Sequence, residues 1–266
     1  MSLLQNTTKK ATAKNAREMI IFSLPKIGKT ELMTKLPGSY LILDFEGGTD
    51  FYDCEGINVP DLATFDQLGD EFIETNPHFN FIVIDTLTSM YDKLINQIAV
   101  RNYNREEKRN KDLDWDITIV DYGKGQVYKR DALKKVIDFF KGYCNCLILS
   151  AHVAEKAMAS GNGENIQVND LDVEGKMKNI LALKTDAMGL LYRSDFNENT
   201  LSFETFIGDT TKFGKKQSAS TMGKIGGTRI PHLSGQKFVI SKKTIPDPSK
   251  PEEYELETFW DKIFIK

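Results

Sequence analysis

Cysteine is nearly absent: Cys54, Cys144 and Cys146 are three thiols in 266 residues. An odd count, with one Cys-x-Cys pair and no second Cys or His cluster, excludes a disulfide framework and a tetrahedral zinc site; reduced, buried thiols remain. Histidine is as scarce. His78, His152 and His232 are far apart, and no H-x-x-x-H or H-x-E pattern offers a metal its ligands. No apolar run approaches the ~18 residues of a membrane span. The opening MSLLQNTTKKATAKNAR has no apolar core of the kind a signal peptide needs. No membrane is therefore expected, and the cytoplasm is the expected location. Charge of one sign is lacking too: 35 basic against 38 acidic side chains leave a net charge of −3, so any nucleic-acid contact must come from a local patch.

What is present is an ordinary globular composition, 40% hydrophobic and 27% charged, in a chain long enough for one large α/β domain with extensions. Strand-length apolar runs recur at MIIFSL (19–24), YLILDF (40–45), FIVIDT (81–86), CLILSAHV (146–153) and AMGLLYR (187–193). Their near-continuous apolarity suits strands buried on both faces of a parallel sheet. Helical spacing separates them. It covers 29–36, then 65–74 with Phe65, Leu68, Phe72 and Ile73, then 87–101 and 126–141. This alternation predicts a three-layer α/β fold with right-handed crossovers. TLSFETF (200–206) then closes a C-terminal β-hairpin with AMGLLYR. Residues 1–17 read as a flexible basic arm and 18–210 as the core. Residues 211–266 read as a lysine-rich loop and an extension whose LETFWDKIF packs on the core. Residues 102–125, 154–172 and 208–228 read as long loops.

The chemistry concentrates at strand ends. Ser23-Leu-Pro25-Lys26-Ile27-Gly28-Lys29-Thr30-Glu31 follows a strand and opens a helix. A phosphate-binding loop needs backbone amides at that junction, a lysine for the β- and γ-phosphates, and a hydroxyl for Mg²⁺. Gly28, Lys29 and Thr30 supply the end of such a loop, with Ser23 where a first glycine is usual. The metal also needs a carboxylate from a neighbouring strand, and Asp85, ending FIVID, is the candidate. Glu46, in D-F-E-G-G, is a candidate general base for a water at the γ-phosphate. Asp44 reads as structural. His152, closing CLILSAH, is a candidate sensor of the γ-phosphate. ATP and Mg²⁺ are the expected ligands.

SLPKIGKT, LILDFEGG, FIVIDTLTSMYD, DWDITIVDYGKGQ, LILSAHVAEK and GKMKNILALKTDAMGLLYR follow one another in this chain. That order resembles the RecA-like P-loop ATPases of phage genomes, the "AAA domain" nucleotide-binding proteins related to single-strand-annealing and recombination ATPases. The resemblance covers roughly 18–210 and implies a RecA-like core with the roles just assigned to Lys29, Thr30, Asp85, Glu46 and His152. It further implies a ring or filament of identical subunits on single-stranded DNA, with a single-strand-binding protein as a possible partner. It implies a lysine finger from the next subunit, drawn from Lys212, Lys215 or Lys216, and DNA-facing segments at 102–125 and 154–172. The basic stretch 101–111, which leads into the first of these, carries Arg101, Arg105, Lys108, Arg109 and Lys111; the second has Lys156 against Glu155, Glu164, Asp170 and Asp172.

Other classes stay open on residues alone. A GTPase-type switch would use Asp44-Phe-Glu-Gly47 as D-x-x-G but finds no N-K-x-D downstream. A nucleotide-binding protein with an assembly or regulatory role and little turnover is a further alternative. A small-molecule kinase would need an arginine-rich lid, and 208–228 carries lysines without arginine.

Overall fold

Strand β1 (Glu18–Ser23) is buried along its whole length, which is what its unbroken apolar run demands. The computed structural model describes residues 14–107, 117, 123–159, 165–194, 197–205, 228–243, 253–254 and 256–265. Around β1 the parallel strands β2 (Tyr40–Asp44), β3 (Gly56–Asn58), β4 (Phe79–Asp85), β5 (Cys144–Ala159) and β7 (Ala187–Ser194) assemble in the order β7-β1-β5-β4-β2-β3. The antiparallel strands β8 (Asn197–Thr205), β9 (Lys237–Lys243) and β10 (Glu253–Tyr254) extend the β7 edge. This is the expected three-layer P-loop architecture with a mostly parallel sheet. The β7–β8 hairpin is present too, but it does not end the sheet: β9 and β10 continue it.

Helices cover both faces, unequally. One face packs Ile20, Phe22, Leu43, Ile84 and Leu149 beneath α2 (Leu62–Thr75), the continuous helical run of α3 (Leu87–Met90), a π turn (Tyr91–Ile95) and α4 (Asn96–Glu107), then α5 (Lys124–Lys141) and α6 (Gly175–Lys184). The other packs Met19, Ile21, Val83 and Ile148 against the short α1 (Lys29–Met33) and the C-terminal α7 (Leu256–Ile263). The alternation along β1, odd residues to one side and even to the other, separates these two cores. Trp260 of α7 is 1% exposed, and its indole N–H donates to the Leu32 carbonyl of α1 at 2.8 Å. The expected docking of LETFWDKIF on the core is therefore directed at the helix that follows the phosphate loop.

Three expectations need correction. Residues 154–172 are not a loop: β5 runs past the sheet and pairs antiparallel with β6 (Asn165–Leu171), from Val153–Leu171 to Ala159–Asn165. Ile73, expected on the apolar face of α2, is 64% exposed, because the buried stripe of that helix runs through Phe65, Leu68 and Phe72. The segment 102–125 is helical at both ends, as α4 extends to Glu107 and α5 begins at Lys124. Among the described residues no helix is long and apolar enough to cross a membrane.

Candidate active site

The carboxyl ends of β1, β5, β4 and β2 lie side by side, and register places Ser23 beside His152 and Asp44 beside Asp85. Open parallel sheets bind ligands at this edge.

After β1 the chain curls through two left-handed residues, Lys26 at φ 61° and Gly28 at φ 112°. The second value is strained for any residue with a Cβ, so Gly28 is required there. The Leu32 amide then donates to the Gly28 carbonyl at 3.0 Å and α1 begins. Pro25 and Lys26 are exposed, while Ile27, Gly28, Thr30 and Glu31 are half-buried. Lys29 is 6% exposed and folds back over the loop: its ammonium donates to Ser23 Oγ at 3.0 Å and to the Leu24 carbonyl at 3.5 Å. Ser23, in the position of a usual glycine, thus serves as the lysine's acceptor. Burial pulls the Lys29 ammonium below its ordinary range, against the opposing charges of Asp85 and Glu46.

Asp85 does not sit on a strand next to β1, as expected; β5 lies between β1 and β4. The acid still reaches the phosphate loop, because Thr30 Oγ1 donates to Asp85 Oδ2 at 2.6 Å. Asp85 is 2% exposed, and burial pushes its carboxyl up despite the Thr30 hydrogen bond. Its second oxygen, Oδ1, and the Ser150 hydroxyl on the adjoining β5 are both buried and make no hydrogen bond of good geometry, although Ser150 stands close enough to favour the charged form of Asp85. Gly48 keeps the approach open: a Cβ there would come within 3.2 Å of Thr30 Oγ1. A hydroxyl and an incompletely bonded carboxylate at one open corner are oxygen donors of the kind Mg²⁺ takes, and the ion normally completes its shell with water and substrate phosphates. Among the described residues there is no group of three or more His, Cys, Asp or Glu side chains that could hold a metal ion.

Asp44 is structural, as expected. Its carboxylate, fully buried, accepts from the amides of Glu46, Gly47 and Thr49 at 2.8 Å each and from the Thr49 hydroxyl at 2.6 Å. Burial opposes its charge, but those bonds, the Thr49 hydroxyl's first among them, outweigh it and hold the carboxyl below its ordinary value. The turn so tied presents Glu46. One oxygen of Glu46, Oε1, receives the Thr86 hydroxyl at 2.5 Å and the Ser89 hydroxyl at 2.6 Å, and stands 2.8 Å from His152 Nε2. His152 Nδ1 faces Lys29 Nζ at 3.4 Å. An ammonium has only donors, so Nδ1 is the acceptor and the ring hydrogen sits on Nε2, directed at Glu46. The chain Lys29–His152–Glu46 is continuous. The His152 hydrogen bond, followed by those from Ser89 and Thr86, pulls Glu46 down to about 2 against the effect of burial.

The structure does not bring every candidate together. Arg101 meets Asp66 of α2 at 2.5 Å, and Arg105 donates to Asn102 at 3.2 Å, both on α4 away from this edge's hydrogen bonds. Lys108, Arg109, Lys111, Lys212, Lys215 and Lys216 lie outside the described residues. Reading the sequence missed Thr86, Ser89 and Gly48. It also missed Tyr52, whose phenol is pushed up by burial and then by the nearby Glu31 and Asp85 charges, and its neighbour Phe51, which is 86% exposed. An aromatic pair two residues past G-G-T was the available signal.

A sequence model of the AAA domain matches residues 15–218. No curated protein matches the chain. Among solved structures, it is similar to the crystal structure of the RadB recombinase at 12% identity, over 84% of this chain and 86% of that one, with a TM-score of 0.43.

Proposed function

The chain belongs to the AAA domain family, and from that premise we propose that it binds ATP with Mg²⁺ and hydrolyses it at the strand edge formed by β1, β5, β4 and β2. The observation that carries this reading is the convergence of Lys29, Thr30 and Asp85, with a 2.6 Å hydrogen bond joining the last two. Lys29 exchanges Ser23 for the oxygens of the β- and γ-phosphates, which offer a better acceptor to an ammonium. Thr30 and Asp85 would hold Mg²⁺, which would supply neutralising charge to those phosphates. Glu46 is the general base of this reading, its carboxylate kept ionised by the His152, Ser89 and Thr86 hydrogen bonds. It accepts a hydrogen bond from the attacking water and orients it. The water oxygen forms a bond to the γ-phosphorus, the bond to the bridging oxygen breaks with its electron pair leaving on the diphosphate, and the water's proton ends on the released phosphate. His152, in contact with both Lys29 and Glu46, registers whether the lysine is engaged.

The biological reading is an ATPase acting in phage DNA recombination, annealing or replication, as an oligomer on single-stranded DNA. It is supported by the sequence resemblance, and a basic finger from Lys212, Lys215 or Lys216 would complete a neighbouring subunit's site. Phosphate release by the wild type, lost in Lys29→Ala, tests the ATPase. Salt-dependent binding of a single-stranded oligonucleotide, with and without ATP and Mg²⁺, tests the DNA role; no binding at low salt in any nucleotide state removes it. A second reading, nucleotide binding for assembly with little turnover, is favoured by the Ser23–Lys29 hydrogen bond, which holds the lysine back on its own loop. Equal phosphate release by wild type, Lys29→Ala and Glu46→Gln would select it.

A further inference from the structure

The first turn of α3 is built around two hydroxyls. Thr86 is the N-cap of that helix, its Oγ1 accepting from the Ser89 amide at 3.2 Å. Accepting there leaves the Thr86 hydroxyl hydrogen free to point elsewhere, and it goes to Glu46 Oε1 at 2.5 Å. Ser89 stands at the third helical position and sends its own hydroxyl to the same oxygen at 2.6 Å. With His152 Nε2 at 2.8 Å, Oε1 is surrounded by three partners. A carboxylate oxygen has no room for a fourth, so further donors must use Oε2, to which no described residue donates.

We propose that Thr86 and Ser89 are positioning residues for the hydrolysis: they grip Glu46 by one carboxylate oxygen and so present the other, in a fixed orientation, to the attacking water. This rests on the reading of Glu46 given above and deepens it. The helix cap is the reason the grip is rigid, since the Thr86 oxygen cannot rotate away from Glu46 without releasing the Ser89 amide. The titratable and charged groups that face Glu46 are His152 from β5 and Lys29 from α1; α3 contributes only the two neutral hydroxyls.

The test uses the full chain with Ser89→Ala, Thr86→Val, Thr86→Ser and the double variant Thr86→Val/Ser89→Ala. Ser89→Ala is the clean probe, because the cap uses the Ser89 amide and not its side chain. We expect kcat to fall about tenfold in Ser89→Ala and about a hundredfold in the double variant, the scale of a misplaced reacting group. KM and ADP affinity should stay within about twofold, and Thr86→Ser should retain wild-type turnover. A second readout is independent of turnover: ¹³C-carboxyl NMR, with the Glu46 resonance identified by its loss in Glu46→Gln. It should show Glu46 ionised throughout the native acid range in the wild type, and titrating within that range in the double variant. Turnover by the wild type with unchanged kcat in the double variant overturns this proposal alone. A rise in kcat does the same, since the hydroxyls would then restrain Glu46. Absence of phosphate release by the wild type overturns the hydrolytic reading and this proposal together.

Discussion

Two halves of one strand edge are satisfied to opposite degrees. At the phosphate corner, burial works against both charges: it pulls Lys29 down and pushes Asp85 up, and Asp85 Oδ1 makes no hydrogen bond of good geometry. At the glutamate clasp, a carboxylate of 32% side-chain exposure receives partners from α3 and β5 and drops to about 2. The difference assigns different work to the two halves. Incompletely bonded buried charges destabilise the protein alone and recover that free energy when an oppositely charged ligand arrives, so on the proposed reading affinity is located at the corner. A carboxylate gripped by one oxygen is already oriented and gains little from binding, so on the proposed reading rate is located at the clasp.

Glu46→Gln is the strongest challenge to that division. It should lower kcat by about 10²–10³ and leave the affinity for a non-hydrolysable ATP analogue unchanged; phosphate-release kinetics and analogue titration read the two separately. A loss of affinity instead would merge the halves. Lys29→Ala should do the reverse to binding, weakening ATP about a hundredfold through loss of charge-assisted hydrogen bonds, as read by equilibrium titration. Asp85→Asn sharpens the contrast. Relieving a buried charge should raise the melting temperature of the nucleotide-free protein by about 2–4 °C, while the extra stabilisation that Mg²⁺ adds to ATP disappears. A lower melting temperature without nucleotide would show that Asp85 is stabilising, and the account of the corner would fail. The smallest effect concerns acid. The folded pKa of Glu46, about 2, lies below the ordinary glutamate value of about 4.3. Its contribution to stability is therefore complete above that value and is lost as pH falls towards 2. Denaturant unfolding should show a wild-type advantage over Glu46→Gln that is flat from pH 7 to about 4.5 and narrows below; an advantage that grows on acidification would reverse the assigned sign.

How far this was legible depended on how local each feature is. Strands β1, β2, β4, β7, β8 and the first half of β5, with α2 to α5, follow from runs and periodicities a few residues long, and Gly28-Lys29-Thr30 is contiguous, so both could be read directly. The grip of Thr86 and Ser89 on Glu46 could not, because it joins the turn after β2 to a helix start 40 residues later. The polar stretch 154–172 hid the β5–β6 arm, which has no continuous apolar run to signal a strand. Two glycines at the start of α5 are likewise needed for backbone geometry that the sequence does not signal. Gly123 takes a left-handed φ of 72° at the N-cap of α5, and a Cβ on Gly125 would collide with the Ile117 carbonyl.

The bond from Trp260 to Leu32 spans 228 residues, and it bears on the order in which the molecule is made. Leu32, Met33 and Leu36 of and beside α1 need cover, and Trp260 of α7 belongs to the core that provides it. Until residue 263 has been translated, the nascent polypeptide holds its phosphate loop against an unfinished layer. The corner around Lys29 and Thr30 is thus finished only when a segment 228 residues beyond Leu32 has joined it.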